Sequence, residues 1–159
     1  PHAVFDQTPS NPTEAAVRAA VAAFRREGCD GLVAVGGGSS IDLAKGAAIA
    51  ATHDGPLKTY ATIEGGSPKI TERVLPLIAV PTTAGTGSEV SSAAVLALED
   101  GRKHAVVSHT LLPDVVVLDP ELLARVPPKA IAAAGADALA HALEGALSRH
   151  ANPMADHSE

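Results

Sequence analysis

Twice in this sequence a short apolar run opens into a glycine-rich loop. Gly31-Leu32-Val33-Ala34-Val35 runs into Gly36-Gly37-Gly38-Ser39-Ser40, and Leu77-Ile78-Ala79-Val80 runs into Pro81-Thr82-Thr83-Ala84-Gly85-Thr86-Gly87-Ser88-Glu89. Leu32 to Val35, short, scarcely alternating and bounded by glycines, fits a central strand covered on both faces, and Leu77 to Val80 lies in a second buried-strand pattern. After the first loop, Ser39 or Ser40 is expected to cap a helix running to about Ala51, with Asp42 in its first turn where a negative charge suits the exposed amides. Strands separated by helices predict an α/β sheet.

The remaining elements follow from local signals. Asn11-Pro12-Thr13 predicts a turn and then a helix from Glu14 to Glu27, which Gly28 stops. The stretch 52–73 is irregular, with a loop at Gly65-Gly66-Ser67-Pro68. Leu75 to Val80 reads as a strand with Pro76 at its beginning. Ser92 to Leu98 and Lys103 to Val107 predict a hairpin across Glu99-Asp100-Gly101. Val115 to Leu118 is a further short strand, closed by Asp119-Pro120. Past Pro127-Pro128 the texture changes, and Lys129 to His150 is helix-compatible throughout apart from Gly135 and Gly145. The expected organisation is a partial nucleotide-binding α/β domain over 1–120 and the start of a helical domain over 121–159.

Composition narrows the function classes. The chain has 159 residues, enough for one domain with a real core. Hydrophobic residues make up 46% and aromatics only 2%, so alanine-rich, closely spaced helices must supply the packing. A net charge of -6 argues against nucleic acid, whose phosphates need a concentrated basic surface. Asp42, Lys45, Asp137 and Glu144 interrupt the richest apolar stretches, so no membrane span is expected. The start, Pro1-His2-Ala3-Val4-Phe5, has no signal-peptide pattern. Cys29 is the single cysteine, so no internal disulfide is possible and a reducing compartment fits best; it reads as a buried small hydrophobe or a bystander. A cytoplasmic location is the expectation.

Three successive glycines let backbone amides approach a ligand, and the following helix N-terminus adds exposed N–H groups, so the first loop is a candidate pyrophosphate seat. It is neither a G-x-G-x-x-G loop nor a Walker loop, since no lysine precedes its serine. The second loop sets the hydroxyls of Thr82, Thr83, Thr86 and Ser88 around Gly85 and Gly87, a composition that can surround a ribose, phosphate or carboxamide. Turn chemistry alone accounts for part of either pattern, and the pair is more specific than each. Glu89 either lines the site or is a solvated or capping carboxylate. Lys103 is either an exposed strand charge or a cofactor contact, and Lys45 is expected to face solvent.

On the later helix Asp137 and His141 lie four residues apart, so they project from adjacent turns of one face. An oxygen and a nitrogen ligand at that spacing can hold one divalent metal such as iron or zinc. A hydrogen-bonded Asp-His pair is the plainer alternative. Glu144 falls toward the same side, His150 roughly opposite, and His157 beyond an Asn152-Pro153 interruption. His104 and His109 read as surface or structural residues.

With both loops and the helical pair in view, the chain resembles the iron-containing, group III alcohol dehydrogenase family, which has a dehydroquinate synthase-like fold. The resemblance rests on Asn11-Pro12-Thr13, on Gly36 through Asp42, on Pro81 through Glu89, on Leu118-Asp119-Pro120 and on Asp137 through Glu144. It implies an incomplete Rossmann-like nucleotide-binding domain followed by the beginning of an all-helical domain, with cofactor and metal in the cleft between them. By residue-level resemblance, Gly37, Gly38 and Ser39 hold the pyrophosphate and Thr82, Thr83 and Thr86 line the cofactor site. Asp42, Lys103 and Asn11 are further cofactor contacts on the same ground. Asp137 and His141 are the first two metal ligands and the catalytic residues, acting through the metal.

The implied reaction interconverts an alcohol and an aldehyde or ketone by hydride transfer to NAD or NADP, NAD being the family-weighted choice. Fe2+ is the expected metal, with Zn2+ admitted by the same ligands. The substrate class is a small alcohol, aldehyde or hydroxy acid, and the resemblance admits a homodimer. The family's upstream strand and two downstream histidines are missing from the pattern, so the chain reads as a central segment, inactive by itself. Two other readings fit the residues: a metal-independent reductase of the maleylacetate reductase type, and a noncatalytic nucleotide-binding or structural fragment.

Overall fold

The structure, a computed structural model, describes residues 2–148. Helix α1 spans Glu14–Arg26, strand β1 Leu32–Gly36 and helix α2 Gly38–Thr52. Strand β2 is Leu77–Pro81, β3 is Ala93–Ala97, β4 is Lys103–Val107, β5 is Val115–Val116, and helix α3 is Pro128–Leu147. Three 3-10 turns, Leu57–Tyr60, Thr62–Glu64 and Ser67–Lys69, organise the stretch that the sequence left irregular.

The parallel sheet has the order β1-β2-β5, with Leu32 opposite Leu77 and Gly36 opposite Pro81. In-register pairing of β1 with β2 brings the two glycine loops, which follow directly, to one sheet end. The α/β class with a following helical segment is thus the observed architecture. The β3–β4 hairpin pairs Ala93 with Val107 and Ala97 with Lys103, as the Asp-Gly turn predicts.

Helix α1 begins because Thr13 Oγ1 accepts the Ala16 N–H, and its apolar face carries Val17 and Val21. These side chains share a core with Leu43, Ala47, Ile49, Leu96 and Val106. Each fully buried valine or leucine there contributes roughly 1.5–3 kcal/mol. A second cluster, Ala34, Ile41, Ala44, Leu77 and Ala79, seats α2 on the parallel sheet.

Four expectations change. Strand β1 is covered on its Ala34 face only: Val33 is 64% and Val35 59% exposed, because α2 packs on one side of the sheet. The N-cap of α2 is Gly37 without a side-chain bond, so neither Ser39 nor Ser40 caps it. Asp42 is the fifth helical residue, one place beyond the first turn, and turns inward. Strand β5 is shorter than Val115 to Leu118, since only Val115 and Val116 pair with Ile78 and Ala79. The helix expected to reach His150 is α3. His150 and His157 lie outside the described residues.

Candidate cofactor and metal site

The first wall of the site is the turn from β1 into α2, and the second is the loop after β2. They are joined by a backbone bond, Thr82 N–H to Gly36 O at 2.9 Å. A Cβ built on Gly37 would lie 3.1 Å from Thr83 Oγ1, and one on Gly38 would lie 2.8 Å from both Thr86 Cγ2 and Thr86 Oγ1. The glycines therefore serve a close approach between the loops, and the two threonines stand directly over the first loop. Asn11 adjoins the same corner: it has a φ of 61° and its N–H donates to Ser39 Oγ at 3.3 Å. The structure thus brings together Asn11, Gly37, Gly38, Ser39, Thr83 and Thr86, with Thr82 on the joining bond.

Behind the loops lie two buried charged residues, Lys45 and Asp42. Lys45, expected to face solvent, is fully buried. Its Nζ donates to the carbonyl oxygens of Ser88 at 2.6 Å, Ser91 at 2.6 Å and Ala93 at 2.8 Å. Satisfying three carbonyls at once is what makes an ammonium tolerable in this core. Burial still lowers its pKa to about 8, against the opposing charges of Asp42 and Glu89. Asp42 Oδ2 accepts the Val95 N–H at 3.0 Å, while its buried Oδ1 has no hydrogen-bond partner. Burial raises the Asp42 pKa, and the Val95 N–H, the Ser88 hydroxyl and Lys45 act in the other direction. The sequence signal for Lys45 is its apolar setting: apart from Asp42 one turn earlier, its neighbours Leu43, Ala44, Gly46, Ala47 and Ala48 are all apolar.

Lys103 lies at the start of β4 and is exposed, and Glu89 is half-buried. His104 Nε2 contacts both Asp100 oxygens, at 3.1 and 2.9 Å, so it braces the hairpin turn. Lys58 Nζ reaches Asp100 Oδ2 at 3.1 Å. The backbone N–H of Arg102, then Lys58 and His104, hold the Asp100 carboxyl down at about 2.

Helix α3 carries the metal candidates. Asp137 Oδ1 and His141 Nε2 are 3.7 Å apart and both about half exposed. Two donors converging from one helix face fit a shared divalent cation. Among the described residues no group of three such donors gathers, so Glu144 does not complete the set. One turn before Asp137, the backbone of Ala134 meets the second loop: a Cβ on Gly85 would fall 2.4 Å from Ala134 O. This contact joins the threonine loop to the Asp137 helix, and nothing in the sequence pattern announced it.

Paired glycine loops at one end of an open parallel sheet, with an Asp-His helix against them, make a Rossmann-like α/β architecture followed by a helical segment. The iron-containing alcohol dehydrogenase family model matches residues 1–120, and the chain belongs to that family. It is 63% identical over 154 residues to 4-hydroxybutyrate dehydrogenase of Cupriavidus necator, covering 97% of this chain and 40% of that protein. It is 46% identical over 155 residues to 1,3-propanediol dehydrogenase of Klebsiella pneumoniae, covering 97% of this chain and 39% of that protein. A crystal structure of 1,3-propanediol oxidoreductase superposes with a TM-score of 0.89 at 46% identity, over 96% of this chain and 39% of that one. The alcohol dehydrogenase from Oenococcus oeni gives 0.90 at 35% identity, over 97% and 39%. The chain therefore spans about two fifths of the relatives it matches. Among the described residues no helix is long and apolar enough to cross a membrane.

Proposed function

We propose that this chain supplies the nicotinamide-nucleotide seat and half of the metal site of an NAD(P)-dependent oxidoreductase, one that interconverts an alcohol and an aldehyde or ketone. The observation that carries the reading is the three-part contact: Gly37 and Gly38 against Thr83 and Thr86, and Gly85 against the helix of Asp137 and His141. In this reading the amides of Gly37, Gly38 and Ser39 meet the pyrophosphate at the positive end of α2. Thr82, Thr83 and Thr86 orient the nicotinamide half with their hydroxyls. Asn11 and exposed Lys103 contact the cofactor from the flanks, and Asp42, tied to Val95, acts by fixing α2 beneath it.

Asp137 and His141 hold a divalent metal, Fe2+ or Zn2+. Such a cation, when bound, polarises the substrate oxygen and favours its ionised form. The chain's own contribution is orientation: a loop that fixes the acceptor ring and a helix that fixes the oxygen-binding centre shorten the search for a reactive geometry. The relative at 63% identity is named for 4-hydroxybutyrate, which favours a small hydroxy acid and its aldehyde as the substrate class. A homodimeric, cytoplasmic protein completes the proposal.

The test uses the natural full-length polypeptide loaded with Fe2+ or Zn2+, with NADH binding followed by fluorescence and NAD+ reduction measured on 4-hydroxybutyrate and 1,3-propanediol. Asp137→Ala is expected to lose bound metal and turnover while NADH binding stays within about threefold, since the two sites use separate residues. Turnover that persists in the metal-free protein would replace this reading with a metal-independent reductase.

A further inference from the structure

Gly85 has an ordinary backbone conformation, because it is not among the glycines with positive φ. No turn requires a glycine there. What requires it is space: an added Cβ would sit 2.4 Å from Ala134 O and 2.9 Å from both Ala134 C and Ala134 Cα. These are backbone atoms of a helix, which cannot rotate aside as a side chain does. By contrast Gly87, two residues on, has φ 62° and meets only Val90 Cγ2 at 4.0 Å, so it serves the loop's own curvature. The two glycines of one loop thus do different work.

Ala134, Asp137, Ala138 and His141 follow the helical i, i+3, i+4, i+7 spacing and share one face of α3. The face that touches Gly85 is therefore the face that carries the Asp-His pair. Beside the contact the loop and helix are less closely fitted: Thr83, Ala84, Ala130, Ile131, Ala134 and Gly135 border a cavity of about 120 Å3. A gap of that size lies alongside, and at Gly85 the loop comes into close contact with the α3 backbone.

We propose that Gly85 is a positioning residue: by admitting the Ala134 backbone it sets the separation between the threonine loop and the Asp137–His141 pair, and so the distance from metal to nicotinamide. This inference rests on the functional reading above and adds to it the element that sets the reacting distance. A methyl group at residue 85 wedges the cleft open without removing any group that touches cofactor, metal or substrate.

The experiment takes the natural full-length protein, loads the metal site with Mn2+ and measures by NMR the paramagnetic relaxation of the nicotinamide protons of bound NAD+. That signal falls with the inverse sixth power of distance, so a small displacement is read directly. Gly85→Ala is expected to lose most of the enhancement while Mn2+ and NAD+ still bind. In the Fe2+ or Zn2+ enzyme kcat falls about 10²-fold with little change in KM, as misplacement on the ångström scale does. Gly135→Ala, on the same helix with open space around its Cβ, keeps the parent's enhancement. If Gly85→Ala does not accumulate as folded protein, Ala130→Trp, which sets an indole between α3 and the loop, opens the same cleft and gives the same loss. Enhancement in the parent that both wedge variants preserve overturns this inference alone. No enhancement in a parent that binds both Mn2+ and NAD+ overturns the functional reading and this inference with it.

Discussion

Lys45 Nζ lies 2.6 Å from the Ser88 carbonyl oxygen, and this bond ties the helix behind the first glycine loop to the end of the second. The same ammonium reaches Ser91 and Ala93, so it also fixes the start of the hairpin. Asp42, one turn earlier on α2, takes the Val95 N–H. The two charges act as a strut between α2 and the polypeptide that runs from the second loop into β3, and they hold the wall of the site from behind.

Removing the cation exposes the energetics of that strut. Lys45→Met keeps an unbranched side chain one atom shorter, but leaves three carbonyls without a donor and a buried carboxylate without a nearby positive charge. A loss of about 3 kcal/mol is expected, because each buried acceptor left unsatisfied costs about 1–3 kcal/mol. Urea unfolding of the parent and the variant at neutral pH measures it. A change of under about 0.5 kcal/mol would show that solvent reaches the three carbonyls.

The pH dependence follows from the lowered pKa of Lys45. Its folded value is about 8 and its ordinary value 10.5, so between those limits the unfolded chain holds a proton that the folded chain has released. Stability therefore rises with pH across that window, by at most about 1.4 kcal/mol per pH unit from this group. Below pH 8 the lysine is charged in both states and contributes no slope. Asp42 acts with the opposite sign at the acid end: its raised pKa makes the folded chain hold the extra proton, so its contribution falls as pH rises above 3.8. Comparing urea midpoints at several values from pH 7 to pH 10 in the parent and Lys45→Met isolates the lysine. Parallel profiles would sink the assignment.

What was legible in the sequence was what short-range chemistry dictates. The Asp100-Gly101 turn named the hairpin, Thr13 marked the start of α1, and apolar runs entering glycine loops located β1 and β2. The spacing of Asp137 and His141 put them on one helix face without reference to the rest of the chain. What was not legible depends on contacts between distant segments. Lys45 looked like a surface charge because its three acceptors lie 43, 46 and 48 residues away. Gly85 looked like loop composition because its partner is the backbone of Ala134, which has no sequence signature at all. Val33 and Val35 looked buried because hydrophobicity reports which surfaces seek cover, and α2 covers only the other face of β1.

Helix α3 contains an interior glycine that its packing does not use. Nothing lies within 4 Å of a Cβ at Gly135, and its φ is not positive. Gly135→Ala is expected to raise stability by about 0.5–1 kcal/mol, because alanine loses less backbone freedom on forming a helix. Thermal denaturation followed by circular dichroism measures the gain. A lower midpoint would mean that residue 135 packs against something in the natural protein.

The contact between Gly38 and Thr86 makes the sharpest prediction about the two loops as one unit. A Cβ at residue 38 would stand 2.8 Å from Thr86 Cγ2 and Oγ1, too close for either, and 3.0 Å from Thr86 Cβ, a tight contact. Gly38→Ala is therefore expected to push the second loop outward and weaken NADH binding, at a cost of about 1–3 kcal/mol in overpacking. Thr86→Ala removes the two nearest atoms and leaves the third able to give by a few tenths of an ångström. The effect of Gly38→Ala on the NADH dissociation constant should then be smaller in the Thr86→Ala background, a coupling of at least about 0.5 kcal/mol. Fluorescence titration of the four proteins completes the cycle. Strict additivity would mean that the loops separate in solution and that each meets the cofactor independently.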